Sequence, residues 1–451
     1  MCARMKISVK PLDYEQAIAL PRARHERPRK TNLFWQTLIR GLCCIGMAGT
    51  GFTYETRRME LLEKDQPCLI LMNHSCFLDM QIVYRILYPR HFCIVATSDS
   101  FVGMGGLMNW LMRRIGCFPT QKFVTDYRLV QDIQYCLKDL KTSVLMYPEA
   151  SYSFDGTCTP LPRKLGVLLK KLDVPVVMIE SFGAFSRNPL YNELQVRKNV
   201  KVSARAMLLY TREEIREKSV KELSDGLDAA FAFDHFRWQK EQGVQIDAPF
   251  RADGLNRILY KCPSCGAEGK MEGHGIHLTC HHCGKTYELT SLGEMKALEG
   301  ETEYPHIPDW YAWEREQVRR EILDGSYKLD VDVRIGMLVD TKHIYMVGQG
   351  HLIHDVNGFT LTGCDGKLHY TQKPLSCYSL YADYYWYEIA DMICIGNNDT
   401  LYYCFPQDGG DVVAKTRLAV EEMYKLYKGK VLPPRQESAP QTAQGAPQCL
   451  G

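Results

Sequence analysis

The sequence predicts an α/β domain built on a largely parallel sheet, followed by a small cysteine-rich module and a mostly-β C-terminal domain that ends in a helix. Three observations lead to this prediction. Strand-like and helix-like segments alternate over 65–210, two Cys-x-x-Cys pairs follow, and short alternating strands fill 327–405. The chain has 451 residues and 45% hydrophobic content, which exceeds what one core usually supports. We therefore expect two or three domains.

The first domain is defined by its apolar strands. The sequence predicts strands over 68–72, 92–96, 143–147, 174–179 and 200–203, the first of them a continuous apolar run, with amphipathic helices over 126–140 and 161–172 between them. Runs without polar residues are typical of strands buried on both faces, and their alternation with helices predicts parallel pairing. A helical region over 212–242 follows, which we expect to serve packing alone.

The loop after the first of these strands reads Asn-His-Ser-Cys-Phe-Leu-Asp, from Asn73 to Asp79. Ser75 is the expected N-cap of the next helix. His74 and Asp79 are five positions apart, so their side chains meet only if His74 lies in the loop before the first helical turn. A neutral imidazole that a carboxylate orients takes a proton from a hydroxyl, as in serine hydrolases. The alternative is an ordinary helix start with a solvated His–Asp pair.

Three further segments follow this motif in order. Residues 116–122 read Gly-Cys-Phe-Pro-Thr-Gln-Lys, residues 147–153 read Tyr-Pro-Glu-Ala-Ser-Tyr-Ser, and residues 174–179 read Val-Pro-Val-Val-Met-Ile. Together the segments resemble the four sequence blocks of the glycerolipid acyltransferases typified by 1-acylglycerol-3-phosphate acyltransferase, over about 33–205. The resemblance implies an acyltransferase domain in which His74 is the catalytic base and Asp79 its orienting partner. It also implies an acyl thioester, either acyl-CoA or acyl-carrier protein, as the acyl donor.

The resemblance implies an acceptor site that departs from the family pattern. The second block normally ends in arginine where this chain has Lys122, and the third block usually reads Phe-Pro-Glu-Gly-Thr-Arg-Ser, so its arginine is Tyr152 here. Because lysine does not reproduce the bidentate grip of arginine on phosphate, O-acylation of a lipid-like acceptor is implied more firmly than lysophosphatidate as that acceptor. The implied substrate-binding residues, which include two basic side chains available to compensate, are Asn73, Lys122, Glu149, Ala150, Ser151, Arg163 and Lys164.

Cysteines indicate the redox environment and one metal site. There are 18, mostly single within apolar segments, which favours a reducing compartment. The exception is Cys262-x-x-Cys265 followed after 14 residues by Cys280-x-x-Cys283, a spacing typical of a zinc ribbon whose four thiolates close a structural Zn²⁺ site around a hairpin over 270–279. A redox pair or fortuitous pairs are the alternatives. No basic and aromatic run lies beside the cysteines, so we expect no nucleic-acid partner.

Two N-terminal segments predict interfacial helices on a membrane. Residues 33–52 contain only one charged residue, but polar side chains and four glycines make them a poor transmembrane span. Residues 104–114 are apolar with aromatic and basic ends. Ordinary core helices are the alternative for both segments. An anionic membrane surface suits the basic cluster that precedes them, formed by Arg22, Arg24, Arg27, Arg29 and Lys30.

The remaining chain predicts six or seven strands separated by Asp-Gly and Asn-Gly turns, then a helix over 413–427. This pattern predicts a small β-barrel or sandwich of pleckstrin-homology-like outline. The end of the chain, rich in Pro, Gln and Ala, is expected to be disordered. The expected domains are a basic N-terminal segment (1–32), the acyltransferase domain (33–250), the zinc ribbon (251–292), a β-rich domain with flanking helices (293–432) and a disordered tail (433–451).

Two functional hypotheses follow. The first is a phospholipid-biosynthetic enzyme, cytoplasmic and peripherally bound to the cytoplasmic membrane face, that acylates a lysophospholipid or related lipid acceptor. The second is a non-catalytic, membrane-lipid-binding scaffold that uses the same fold. Because a scaffold needs neither a base nor its orienting partner, the presence of both His74 and Asp79 favours the enzyme.

Overall fold

The computed structural model describes residues 7–124, 126–193, 195–407 and 411–432. The tail predicted over 433–451 lies outside these residues. Through residue 241 the elements are β1 (Val9–Pro11), α1 (Tyr14–Ala19), α2 (Leu33–Gly46), β2 (Thr53–Arg57), β3 (Leu69–Met72), α3 (Asp79–Leu87), β4 (Phe92–Thr97), α4 (Leu107–Arg114), β5 (Cys117–Thr120), α5 (Tyr127–Lys138), β6 (Ser143–Met146), α6 (Leu165–Leu172), β7 (Val176–Phe182), α7 (Ala184–Arg187), β8 (Ser203–Tyr210), α8 (Arg212–Glu217), α9 (Val220–Ala230) and α10 (His235–Glu241).

The rest of the chain is mostly β. Its elements are β9 (Met271–His274), β10 (His277–Cys280), β11 (Thr286–Leu289), β12 (Met295–Ala297), α11 (Ile307–Asp324), β13 (Leu329–Leu338), β14 (Ile344–Asp355), β15 (Gly358–Gly363), β16 (Leu368–Gln372), β17 (Tyr381–Trp386), β18 (Ala390–Gly396), β19 (Leu401–Pro406) and α12 (Val412–Lys428).

The first sheet has seven strands in the order β2-β8-β7-β3-β6-β4-β5. Five of its six neighbouring pairs are parallel, and only β7 and β8 run antiparallel. The largely parallel sheet predicted from the sequence is therefore present, with a two-strand reversal at one side.

Strand β3 lies at the centre of this sheet, and all four of its residues are fully buried. Its side chains alternate between the faces: Ile70 and Met72 pack in a core with α2 and α3, whereas Leu69 and Leu71 pack in a core with α5, α6 and α9. Burial on both faces explains the unbroken apolar run. It also fixes the end of β3, from which the His74 loop departs.

Several predicted boundaries were wrong. Ser75 does not cap a helix, because α3 begins at Asp79 with Leu78 as its N-cap. The Asp79 carboxylate instead holds the residues between β3 and α3, because it accepts hydrogen bonds from the backbone N–H groups of Ser75 and Cys76. The strand predicted over 200–203 is β8, which begins where that prediction ends, and the short strands β2 and β5 were missed.

None of the helices in the described ranges combines the length and the apolarity needed to cross a membrane.

The cysteine-rich module is a four-stranded antiparallel sheet in the order β12-β11-β10-β9. Strands β9 and β10 form the hairpin predicted over 270–279, with Met271 opposite Cys280. Behind this sheet, Trp310 of α11 is fully buried and donates its indole N–H to the Lys261 carbonyl, 3.1 Å away. The module is thereby anchored to α11.

The C-terminal sheet has the order β16-β15-β14-β13-β19-β18-β17, and β1 from the N-terminus adds parallel to β14 as its eighth strand. The predicted six or seven strands followed by a helix are present as β13–β19 and α12. Strands β16 and β17 at the two ends of this sheet do not pair with each other in the described residues, and the predicted barrel or sandwich outline stays a prediction. Helix α12 packs on β17 and β18.

The C-terminal sheet contacts loops of the first domain. One core cluster joins Val102 and Phe123 of the first part to Tyr381, Trp386 and other C-terminal residues. Arg257 bridges the two parts, because its guanidinium pairs with Glu193 at 2.8 Å and with Asp391 at 3.0 Å. The C-terminal sheet is therefore packed against the loops that follow the strands of the first sheet.

Candidate active site

The candidate site forms where two sequence motifs meet. Strands β3 and β6 are parallel neighbours, so the loops at their carboxyl ends emerge at the same edge of the sheet. These loops carry residues 73–79 and 147–153. The Ser153 N–H donates to the His74 carbonyl at 3.0 Å, which ties the two loops together.

The His74 and Asp79 side chains are in direct contact. His74 Nδ1 lies 2.9 Å from Asp79 Oδ2, and the same oxygen accepts the backbone N–H groups of Ser75 at 2.7 Å and Cys76 at 3.1 Å. Because an ionised carboxylate only accepts, this contact requires Nδ1 to donate, which leaves Nε2 as the acceptor nitrogen. The predicted pair has the geometry of a base and its orienting partner.

The environment keeps the imidazole neutral. Burial lowers the pKa of His74, the hydrogen bond and charge of Asp79 oppose this shift, and the positive charge of Lys122 adds to it. Burial also raises the pKa of Asp79. The hydrogen bonds that its carboxylate accepts from backbone N–H groups oppose this rise. A neutral imidazole with one free nitrogen is the form that accepts a proton.

Two tyrosines pack against the imidazole, an arrangement that sequence reasoning missed. The ring centroids of Tyr147 and Tyr152 each lie 4.2 Å from that of His74. The ring centroid of Phe77 lies 5.5 Å from that of Tyr152, and Phe77 is 55% exposed. The side chain of His74 consequently keeps 18% of its surface exposed. The only sequence signal was that both tyrosines depart from the family pattern.

Glu149 joins three segments of the site. Its Oε1 accepts the His74 N–H at 2.8 Å, and its Oε2 accepts the Thr159 N–H at 2.9 Å. Burial raises the pKa of Glu149 to about 8, although these two hydrogen bonds oppose the shift. Both oxygens therefore hold backbone, and a direct contact of Glu149 with the acceptor stays a prediction.

Asn73 supports the loop from beneath. Its Oδ1 accepts the Ser181 N–H at 2.8 Å, and its Nδ2 donates to Ser75 Oγ at 3.2 Å. Ser75 Oγ also lies 3.2 Å from Nε2 of His235, a buried histidine that sequence reasoning did not select. Burial lowers the pKa of His235 to about 4, so this ring is neutral and structural.

Ala150 and Ser151 form the turn beside Glu149. Ala150 has φ +56°, and the left-handed region costs a non-glycine residue roughly 1–2 kcal/mol, which accounts for the glycine that the family pattern has here. Ser151 is 2% exposed, and its Oγ lies 3.5 Å from an Nη1 donor of Arg417. Arg417 belongs to α12, far outside the region of resemblance.

The predicted basic residues lie in different environments. The ammonium group of Lys122 lies 4.0 Å from the ring centroid of Tyr381, a residue of the C-terminal sheet. Arg163 and Lys164 are exposed just before α6, and none of the described side-chain contacts joins them to His74, Glu149 or Ser151. Their role as substitutes for the missing arginine stays a prediction.

The four predicted metal ligands converge at one point. The Sγ atoms of Cys262, Cys265, Cys280 and Cys283 all lie within 4.8 Å of one another. Two of the sulfur pairs, Cys262 with Cys283 and Cys265 with Cys280, are 3.8 Å apart. Zn–S bonds of about 2.3 Å in a tetrahedron separate the sulfurs by about 3.8 Å, so this donor set fits a closed Zn²⁺ site.

Comparison with known proteins identifies the class of the first domain. A family model described as Acyltransferase matches residues 54–180. The chain is 28% identical over 141 residues to the chloroplastic 1-acyl-sn-glycerol-3-phosphate acyltransferase BAT2 of Brassica napus. The matched segment covers 30% of this chain and 38% of that protein. The chain thus spans well under two thirds of this relative's length.

A solved structure among those that match is also similar over part of the chain. It is the crystal structure of the 1-acyl-sn-glycerophosphate acyltransferase PlsC from Thermotoga maritima, with a TM-score of 0.31 and 14% identity over 42% of this chain and 78% of that chain. On the family match, residues 54–180 form an acyltransferase-family domain. More particularly, this domain is similar to the 1-acylglycerol-3-phosphate acyltransferases.

The two charges that face His74 should shift its pKa in opposite directions. Lys122→Met removes a positive charge that disfavours the imidazolium, so the pKa of His74 should rise; Asp79→Asn removes a favourable partner, so that pKa should fall. Histidine-selective NMR titration measures both shifts. His351, whose pKa is raised by Asp332 and Asp330, is the internal control. A His74 pKa unchanged in both variants would contradict the electrostatics described above.

Proposed function

We propose that the protein is an O-acyltransferase that moves a fatty acyl group from acyl-CoA or acyl-carrier protein to a hydroxyl of a lysophospholipid or related lipid acceptor. The observation that carries the proposal is the 2.9 Å contact between His74 Nδ1 and Asp79 Oδ2 inside an acyltransferase-family domain. The acyl donors are those that the family resemblance implies.

In the proposed reaction His74 acts as a general base. Nε2 takes the proton of the acceptor hydroxyl while the hydroxyl oxygen attacks the thioester carbonyl carbon. As the tetrahedral intermediate collapses, the C–S bond breaks, and the imidazolium returns the proton to the departing thiolate. The products are an ester and a free thiol, and Asp79 keeps its negative charge throughout, which stabilises the transient imidazolium.

The acceptor side of the site is proposed to include Lys122, Ala150 and Ser151. Glu149 and Asn73 act through the backbone, because their side chains hold the His74 loop and the adjacent strand end. The geometry therefore supports positioning roles for these two residues.

A non-catalytic lipid-binding scaffold is the second candidate. The observation that favours it is the packing of Tyr147 and Tyr152 against the imidazole, which covers most of the His74 side chain. A scaffold and an enzyme differ in whether an acyl thioester is turned over.

Thiol release from acyl-CoA decides between the two candidates. His74→Ala should lower kcat by about 10²-fold to 10⁴-fold, and Asp79→Asn should also lower it strongly, because the imidazole loses its proton acceptor at Nδ1. His369→Ala, at an exposed histidine of β16, should leave the rate unchanged. Release by the wild type that survives in His74→Ala would exclude the proposed base, and no release with any lyso-lipid acceptor would favour the scaffold.

The protein is further proposed to bind the membrane surface through α2. The inner face of this helix buries Gln36, Ile39 and Cys43, while its outer face is apolar and open to solvent. The exposed side chains are Leu33, Phe34, Leu38, Leu42 and Ile45, with exposures from 43% to 73%. A helix with an apolar outer face and a preceding basic segment is typical of an interfacial anchor.

Helix α4 extends this surface. Trp110 packs edge-on against Trp35 at 5.7 Å and lies under the guanidinium of Arg114 at 5.1 Å. Met104, Leu107 and Trp110 are 46% to 63% exposed. An apolar patch with an aromatic and basic rim suits the headgroup boundary of a bilayer. This combination supports membrane contact by both segments predicted from the sequence.

Polar substitution on the outer face of α2 should weaken binding to vesicles. The double variant Leu42→Gln, Ile45→Gln removes two apolar side chains that are 60% and 73% exposed, so its bound fraction should fall severalfold. The measurement is co-sedimentation with anionic phospholipid vesicles at low salt. Leu298→Gln, Leu323→Gln changes two similarly exposed leucines elsewhere and is the matched control. Equal pelleting of both double variants would contradict the α2 surface.

The four cysteines are proposed to bind one structural Zn²⁺ ion. The sulfur spacing fits a tetrahedron, and Cys262 and Cys280 are buried in the core of the module. A metal there links the turn before β9 to the end of β10. Four thiolates leave no position for a substrate, so the ion would stabilise the module rather than take part in acyl transfer.

Removal of a thiolate should remove the ion and destabilise the protein. Cys265→Ser should lower zinc content from one per chain towards zero, and should lower the midpoint of thermal unfolding, because metal binding contributes to folding free energy. Elemental mass spectrometry and calorimetry measure the two effects. Cys44→Ser, at a half-buried thiol outside the cluster, should change neither. Full zinc content in Cys265→Ser would refute the four-cysteine site.

A further inference from the structure

The loop that follows β6 holds the backbone of His74 at two points. This block-three loop comprises residues 147–159. Its Glu149 accepts the His74 N–H through Oε1 at 2.8 Å, and its Ser153 N–H donates to the His74 carbonyl at 3.0 Å. Tyr152, which lies between these two residues in sequence, packs against the imidazole. The position of the candidate base therefore depends on where the block-three loop lies.

Hydrogen bonds close the block-three loop on itself. The Thr159 N–H donates to Glu149 Oε2 at 2.9 Å, and the Thr159 hydroxyl donates to the Glu149 carbonyl at 3.2 Å. Nearer the tip, the Ser153 hydroxyl donates to the Thr157 carbonyl at 2.6 Å and accepts the Gly156 N–H at 3.0 Å. Because these bonds join the base of the loop and its tip, we expect the loop to move as one unit.

The outer side of this loop rests on α12 of the C-terminal domain. Phe154 and Ser151 are buried there, and both contact Arg417, which is itself 2% exposed. The guanidinium carbon of Arg417 lies 4.2 Å from the Phe154 ring centroid, and its Nη1 lies 3.5 Å from Ser151 Oγ. Arg417 thus contacts the loop on both sides of residues 152–153, which are the two that touch His74.

Arg417 is held in place by a buried carboxylate. Its Nε lies 3.3 Å from Oε1 of Glu421, one turn further along α12. Glu421 also accepts the Ser379 hydroxyl at 2.6 Å and pairs through Oε2 with Arg315 of α11 at 2.7 Å. A planar guanidinium that is fixed along one edge presents a flat face to the Phe154 ring. The contact between α12 and the loop therefore has a defined geometry.

We infer that Arg417 is a positioning residue for acyl transfer: through it, α12 sets the block-three loop, and the loop in turn sets the backbone of His74. The inference rests on the acyl transfer proposed above. It makes the C-terminal domain part of the catalytic unit, although that domain lies outside the family match over 54–180. Because misplacing a catalytic group by about 1 Å costs about 100-fold in rate, a contact of this kind governs turnover without touching the substrate.

The first test is Arg417→Met in the full-length protein, which keeps an unbranched side chain and removes the guanidinium. Glu421 keeps Arg315 and Ser379 as partners in this variant, so no buried carboxylate is left unpaired. We expect kcat for thiol release from acyl-CoA with a lysophospholipid acceptor to fall about 10-fold to 100-fold. KM for either substrate should change less than about twofold, because Arg417 acts through the loop.

Amide hydrogen exchange measures the same link without turnover. In Arg417→Met the amides of residues 73–79 and 149–159 should exchange at least about tenfold faster, because the hydrogen bonds between the two loops open more often. Arg319→Met is the matched control, since it removes a cation of α11 that pairs with Glu422 at 3.3 Å. None of the described contacts of Arg319 reaches the block-three loop, so kcat and exchange should keep their wild-type values.

A second variant approaches the contact from the loop. Phe154→Leu keeps an apolar side chain and removes the ring on which the guanidinium lies. It should also lower kcat. Combined with Arg417→Met, it should lower kcat no further than the larger of the two single effects, because both substitutions remove the same contact.

The outcomes distinguish the inference from the proposed function. Wild-type kcat in Arg417→Met, unchanged exchange in the two loops, or losses that add in the double variant would overturn the inference and leave the acyltransferase standing. A lower midpoint of thermal unfolding with wild-type kcat would likewise show a merely structural role for Arg417. No thiol release by the wild type with any acceptor would overturn both.

Discussion

A single carboxylate oxygen organises the candidate site. Oδ2 of Asp79 accepts from the imidazole of His74 and from two consecutive backbone N–H groups, so it fixes the ring and the loop that carries the ring. Asp79 can do this because it is the first residue of α3, with its side chain buried against the loop. Without that oxygen, neither the tautomer of His74 nor the path of the chain between β3 and α3 would be defined.

The sequence predicted those parts of the site that depend on local order. The contact between His74 and Asp79, the central strands and the hairpin of the cysteine module all follow from motifs or periodicity within a short stretch of chain. The expected N-cap at Ser75 was wrong because the side chain of Asp79, which follows the loop, accepts the hydrogen bonds of the loop's N–H groups. Local capping preference carried no information about that competition.

Long-range contacts account for most of what the sequence did not predict. Tyr381 meets Asp99 across 282 positions, and Arg417 meets Ser151 across 266. No periodicity relates residues so far apart, and the C-terminal strands carry no motif that names their partner. Turn signals predicted the hairpins of the C-terminal sheet for the opposite reason, because each hairpin joins strands that are neighbours in the sequence.

Strand β1 pairs with a strand that lies far along the chain. Its three residues pair with Ile344, Tyr345 and Met346, and beside them Ser8 Oγ contacts His343 across 335 positions. At synthesis rates of about 5–20 residues per second, β1 waits roughly 17 to 67 s for its partner to emerge, while the first sheet is already able to form. Closing so long a loop carries an entropic cost that local structure does not. The pairing of β1 with β14 therefore cannot form until residues 344–346 have emerged, well after the strands of the first sheet.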